Sequence, residues 1–130
     1  MVAAALSIVA VCTSCGSPTT LGDIVIGTRR GEQDAVDPTA EIAAGSRIDL
    51  ASTVAVSGDA GWVVATWTLW EAGGLPHVVH TRLLNTHGKT TLFADLEGNT
   101  LATGWREGTI TCDFKTGEGK SRVGTIRVVP

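Results

Sequence analysis

The chain has 130 residues, the length of one ordinary domain, and 43% of them are hydrophobic. Its formal net charge is only −3 and both signs are scattered, so it lacks the basic surface that nucleic-acid binding needs. Three cysteines are too few for a disulfide-rich scaffold, and the chain is long enough to bury a core without such bridges.

The N-terminal segment, residues 1–11, is an uncharged apolar run that ends shortly before Cys15. A run of about ten residues is half of what crosses a bilayer, but it fits the apolar part of a secretory signal. The residues after Cys15 are small, polar and interrupted by Pro18. Residues 12–17 resemble the end of a bacterial lipoprotein signal, in which a cysteine is acylated and becomes the N-terminus.

Two features depart from that signal. Cys12 stands where lipoprotein signals prefer an aliphatic residue, and no basic residue precedes the apolar run, since the first is Arg29. Cleavage before Cys12 would leave the bulky Val11 where a small residue is expected. Cys15 is therefore the predicted site of lipidation.

This resemblance implies three segments in the chain. We expect a signal over residues 1–14, a lipidated cysteine with a flexible tether over 15–22, and one folded domain over 23–130. A cleaved signal without lipid, and an apolar N-terminal strand, are the alternatives.

Beyond the tether, alternating apolar and polar residues are separated by glycine-rich turns about every 8–12 residues, which is typical of an antiparallel sandwich. One stretch places four apolar residues on one face: Ile48, Leu50, Val54 and Val56. The predicted strands are 23–28, 47–56, 62–71, 77–84, 89–95, 108–115 and 122–129, with a short extra edge at 41–42. About seven strands in a domain of this size predict two packed antiparallel sheets.

Five short segments resemble the immunoglobulin-like sandwich of bacterial surface lipoproteins: 24–28, 45–50, 64–68, 104–110 and 123–128. The resemblance covers nearly all of the mature chain and implies an immunoglobulin-like β-sandwich, a class that hosts many unrelated functions. The antibody-type spacing is missing, because no cysteine precedes Trp67 within the domain, and the chain contains no tyrosine.

Four tryptophans form the most informative side-chain pattern. Trp67 alternates in phase with Val63 and Leu69, which predicts a central core ring. Trp62 and Trp70 have the opposite phase, and together with Trp105 they are the candidate aromatic binding patch. Tryptophan is enriched at binding hot spots because it offers a large rigid contact area. The alternative is that Trp62 and Trp70 only cover the ends of the sandwich.

The predicted core also contains Cys112, which alternates in phase with Ile110 and Phe114. We expect it to be a buried packing residue rather than a nucleophile, since no base lies beside it in the sequence. The complete predicted core is Leu50, Val54, Trp67, Ile110, Cys112, Phe114, Ile126 and Val128.

No other pattern indicates chemistry strongly, and we predict no catalytic residue, metal or cofactor. His77 and His80 are three residues apart on a predicted strand, so they are expected to point to opposite faces. The acidic loops at 32–37 and 95–97 lack the regular oxygen spacing of a calcium loop and are expected to be solvated. The Gly-x-Ser-x-Gly nucleophile motif is missing.

The sequence therefore predicts a non-enzymatic interaction module of a bacterial cell envelope, anchored to the membrane by lipid at Cys15. Its partner is an unidentified protein or glycan, and nucleic acid is not expected. The alternative is a soluble periplasmic or secreted domain that binds carbohydrate or peptide through exposed tryptophans. An enzyme inhibitor or accessory subunit is a third class, because such domains bind through loops without a general signature.

Overall fold

The structure is a computed structural model that describes residues 18–58 and 61–130. The predicted signal and the lipidation site at Cys15 lie outside these residues. The described part of the chain contains nine strands and one short 3₁₀ turn, Gly98–Thr100. The strands are β1 (Thr20–Arg29), β2 (Val36–Pro38), β3 (Glu41–Ala43), β4 (Leu50–Ser57), β5 (Trp62–Glu71), β6 (His77–Asn85), β7 (Thr91–Leu96), β8 (Gly108–Thr116) and β9 (Ser121–Val129). Within these residues, no helix has the length and apolar character needed to span a membrane.

The strands form two sheets that face each other across the core. The first sheet has four strands in the order β2-β1-β4-β7, and the second has five in the order β3-β9-β8-β5-β6. Neighbouring strands are antiparallel, except that β3 pairs with β9 in parallel. The predicted all-β sandwich is confirmed, although its second sheet is mixed rather than wholly antiparallel.

The strand boundaries differ from the prediction mainly at two places. β1 begins at Thr20 and Leu21 is buried, so the end of the predicted tether is already part of the first sheet. β4 begins only at Leu50, and Ile48 is 43% exposed rather than part of the apolar face. The extra edge expected near Glu41 is β3, whereas β2 was not predicted. With three residues each, β2 and β3 are too short to show a period of two.

The core lies between the inward faces of β4, β7, β5, β8 and β9, and its predicted members are all buried. Close contact between the sheets depends on Gly124 in β9, against which Ile26 and Ile24 of β1 pack. A Cβ atom added at Gly124 would lie 2.9 Å from the Cβ of Ile26. The two sheets therefore approach most closely where one of them carries no side chain.

Cys112 is a fully buried free cysteine, as predicted. It lies opposite Trp67 in the β5–β8 ladder and close to the Ser52 side chain of the facing sheet, whose hydroxyl donates to the carbonyl oxygen of Val25. Burial raises the pKa of the Cys112 thiol far above its ordinary range, and the nearby Ser52 hydroxyl offsets only part of that effect. A thiol that stays protonated is a poor nucleophile, so Cys112 acts as a packing residue.

Candidate binding face on the five-stranded sheet

The outward side of the five-stranded sheet, called here the outer face, carries two exposed tryptophans of β5. Successive side chains of a strand point to opposite sides, so burial of Val63 and Trp67 turns Trp62 and Trp70 away from the core. Trp62 is 51% exposed and Trp70 is 46% exposed. Both rings therefore present a large apolar area on one side of the molecule.

The two rings lie at opposite ends of the same strand. Trp70 follows Trp62 by eight positions, and a strand rises about 3.3 Å per residue, so their Cα atoms are roughly 26 Å apart. Trp70 is fixed on the outer face, because its Nε1 donates a hydrogen bond of 2.9 Å to Oγ1 of Thr111 on β8. A ligand that contacts both rings must be long and run along β5.

A groove of about 690 Å³ connects the two tryptophans and is lined by side chains of four strands. The ladder registers place Asp113 of β8 beside Thr66 of β5, and Val123 of β9 beside Asp113. Leu83 of β6 lies opposite Val64 of β5. The lining consists of Trp62, Val64, Thr66, Thr68, Trp70, Leu83, Thr111, Asp113, Lys115, Thr116, Gly117 and Val123.

Asp113 lies within this groove and carries an unsatisfied carboxylate oxygen. Its Oδ1 atom is buried and accepts no hydrogen bond from the part of the chain that the structure describes. Leaving a buried acceptor without a donor costs about 1–3 kcal/mol, and more for a charged group. Asp113 as a whole is only half-buried, so a rotation of its side chain would turn Oδ1 toward the groove, where a ligand that donates a hydrogen bond would recover that free energy.

Trp105 is not part of the outer face, and the expectation that it joins the aromatic patch is wrong. It is 1% exposed and belongs to the core. Its Nε1 donates a hydrogen bond of 2.9 Å to the carbonyl oxygen of Ile48, and its backbone N–H donates to the carbonyl oxygen of Ser46 at 2.9 Å. Trp105 therefore holds the loop before β4 against the sandwich.

The two histidines of β6 do not point to opposite faces, because a register shift interrupts the β5–β6 ladder between Trp67 and Thr68. Trp67 lies opposite His80, and Leu69 lies opposite His77. Directly opposed residues share a side of the sheet, so both histidines lie on the side of these core residues. Across the described ranges, no group of three or more His, Cys, Asp or Glu side chains is arranged to hold a metal ion.

Sequence reasoning found Trp62 and Trp70 but missed the remainder of the groove. The phase of alternation along β8 shows that Asp113 points away from Cys112. It does not show which residue of β5 lies beside Asp113, because that depends on the register between strands distant in sequence. Val123 and Leu83 were missed for the same reason.

Comparisons with known proteins identify the fold class. No family model and no curated protein match the sequence. An immunoglobulin-like protein from Pseudomonas aeruginosa is similar in structure, with a TM-score of 0.61 and 14% identity, over 87% of this chain and 98% of that chain. A β-glucosidase from Listeria innocua has a TM-score of 0.46 and 13% identity, and the match covers 82% of this chain but only 16% of the enzyme.

The sandwich topology and the first of these likenesses define the chain as an immunoglobulin-like β-sandwich. This confirms the immunoglobulin-like fold that the sequence resemblance implied. At 14% identity the likeness concerns the fold alone, and this fold carries many unrelated functions. The fold class therefore does not identify a function, and the side chains of the outer face are the features that bear on it.

Proposed function

We propose that this protein is a non-enzymatic binding module of a bacterial cell envelope, which engages its partner through the outer face. The observation that carries the proposal is the pair of half-exposed tryptophans on one side of β5. Trp62 and Trp70 leave apolar area in water whose burial is worth about 25 cal/mol per Å². Large rigid aromatic rings beside a groove are the usual anchors of binding surfaces.

Further apolar side chains extend the same face. Leu83, Val123 and Val78 are each more than half exposed, and the registers place all three on the outward side of the sheet. An apolar area that spans three strands is more than the scattered exposure of a typical surface. It supports binding through the sheet face rather than through a loop.

Binding through this face can be tested by removing both rings. The Trp62→Ala/Trp70→Ala protein should keep its fold but lose the envelope components that the wild type captures from solubilised native membranes. Val25→Ala, on the outward side of the other sheet, is the matched control and should capture as the wild type does. Equal capture by all three proteins would exclude the outer face as the binding surface.

We further propose that lipid at Cys15 holds the module at the membrane, on the extracytoplasmic side. The support is the lipoprotein-like segment around Cys15. Labelled palmitate should enter the wild-type protein and disappear in Cys15→Ser. A protein that takes up no label and fractionates with soluble material would instead be the periplasmic or secreted alternative, with the same binding face.

A further inference from the structure

The outer face sets three chemical requirements on its occupant. The ligand must offer flat apolar surfaces to Trp62 and Trp70, and it must donate a hydrogen bond at Asp113. It must also be extended, because the Cα atoms of the two tryptophans are roughly 26 Å apart along one strand. These requirements apply only if the outer face is the binding surface, as proposed above.

Charge adds a fourth requirement. The groove lining contains one acidic side chain, Asp113, and one basic side chain, Lys115, so its formal charge is zero. A polyanion or a polycation would gain little net attraction from such a surface and would have to desolvate its own charges. The occupant that fits is uncharged.

An extended peptide meets these requirements poorly. β5 and β8 lie inside the sheet, with β6 and β9 as their outer neighbours, so their backbone N–H and C=O groups are already engaged in ladders. A peptide laid over this face could not add itself as a strand, and its own backbone groups would lack partners. Among the described residues of the groove, the threonine hydroxyls, Asp113 and Lys115 are the side chains with polar groups that a peptide backbone could use.

We propose that the occupant is a neutral linear polysaccharide lying along β5. Sugar rings have apolar faces that stack on indoles, and hydroxyl groups at their rims that donate to a carboxylate and exchange hydrogen bonds with threonines. Trp70, fixed by Thr111, and Trp62 are the two stacking platforms. Asp113 is the acceptor for a sugar hydroxyl between them, and Thr66 and Thr68 line the path.

The experiment is a fluorescence titration of the full-length protein with neutral linear oligosaccharides of glucose, mannose, xylose and N-acetylglucosamine. Trisaccharides and octasaccharides of each are compared, with oligogalacturonate as the charged control. At least one neutral octasaccharide should shift and enhance the tryptophan emission and bind more tightly than its trisaccharide, because only the longer chain reaches both rings.

Substitutions assign that binding to the groove. Trp70→Ala and Asp113→Asn should each weaken octasaccharide binding about tenfold, since hot-spot rings and hydrogen bonds to charged groups are worth that factor or more. Trp62→Ala should remove the advantage of the octasaccharide over the trisaccharide. Asp23→Asn, an exposed acid of the other sheet, is the matched control and should bind as the wild type does.

Three results would overturn the polysaccharide assignment. One is that no neutral oligosaccharide binds while the Trp62→Ala/Trp70→Ala protein still loses capture of an envelope protein, which leaves the proposed binding face standing with a protein partner. Another is binding that none of the three groove substitutions weakens, which places the sugar elsewhere. The third is preferential binding of oligogalacturonate, which contradicts an uncharged ligand.

Discussion

The phase of a single residue along β5 decides whether its tryptophan stabilises the fold or faces solvent. Trp67 is fully buried beside Cys112, whereas Trp62 and Trp70 point outward. The indole Nε1 of Trp67 is buried and has no hydrogen-bond partner within the described residues. The ring therefore stabilises the fold through packing, while its unsatisfied N–H group lowers the stability of the folded state.

Replacing Trp67 with alanine should therefore destabilise the domain by about 3–5 kcal/mol, a large part of the ~5–15 kcal/mol that a domain possesses. Trp67→Phe should cost much less, because it keeps an aromatic ring and removes the unsatisfied donor. Chemical denaturation measures both, with Trp62→Ala as the exposed control. Equal, small losses for Trp67→Ala and Trp62→Ala would contradict the inward and outward assignments.

Cys112 should couple stability to alkaline pH. Its pKa in the folded state is raised, so the thiol stays neutral, whereas in the unfolded chain it ionises near its ordinary value of 9.0. Cys112 therefore leaves stability unchanged below pH 9.0 and lowers it above that value, by up to about 1.4 kcal/mol per pH unit. The slope should disappear in Cys112→Ala. Rapid alkylation of the native thiol at neutral pH would contradict its burial.

At the level of strands, pairing and register decide which side chains of different strands lie next to each other. β5 has the bounds that its alternation predicts, because it is long and strongly periodic. The register with β8 then brings Asp113 into the groove between the two tryptophans, and the shift in the β5–β6 ladder turns His77 and His80 to one side. Neither effect is visible within one strand.

The close approach of β1 and β9 at Gly124 can be tested by adding one carbon atom. In Gly124→Ala the new Cβ would lie 2.9 Å from Cβ of Ile26 and 3.3 Å from Cδ1 of Ile24, so the sheets must separate locally. Overpacking of this kind costs about 1–3 kcal/mol. Gly117→Ala, where a new Cβ would have no neighbour within 4 Å, should change the unfolding midpoint little. Equal effects of the two substitutions would contradict a tight sheet contact.

On the scale of the whole molecule, one side-chain pair lies between the two sheets where antibody domains carry a disulfide. In those domains the bridge links the second and sixth core strands beside a buried tryptophan. Here Ser52 of β4 lies close to Cys112 of β8 beside Trp67, and the Ser52 hydroxyl donates to the carbonyl oxygen of Val25 within its own sheet. Within residues 18–58 and 61–130, the core is therefore packed without a disulfide.

The substitution Ser52→Cys should allow a disulfide to form between position 52 and Cys112 under oxidising conditions. The bridge would close a loop of 60 residues (112 − 52), and it should stabilise the domain by up to ~4 kcal/mol through reduced entropy of the unfolded chain. The readouts are the loss of free thiol in the denatured protein and a rise in Tm that dithiothreitol reverses. Ser52→Ala should show neither. Two free thiols after oxidation would mean that the sheets do not place these residues in bonding range.

The sequence was sufficient for the fold class and the core, because alternation in seven long stretches determines which residues face inward. It was insufficient where alternation continues past the end of a strand, as at Ile48, or where a strand has only three residues, as in β2. For the binding face, alternation placed Trp62 and Trp70 correctly, whereas Trp105 was wrongly assigned to that face, because it lies in a loop where no period applies. The groove between them required the registers of four strands.

The start of β1 has a consequence for how the binding face is oriented. Only residues 16–18 separate Cys15 from the buried Thr19, and a chain spans at most about 3.6 Å per residue, so a lipid on Cys15 would hold the sandwich within about 14 Å of the bilayer surface. β1 begins opposite Ser57, at the same end of the sandwich as Trp62. Trp62 would then lie near the lipid headgroups and Trp70 far from them. A polysaccharide bound along β5 would therefore extend away from the membrane surface.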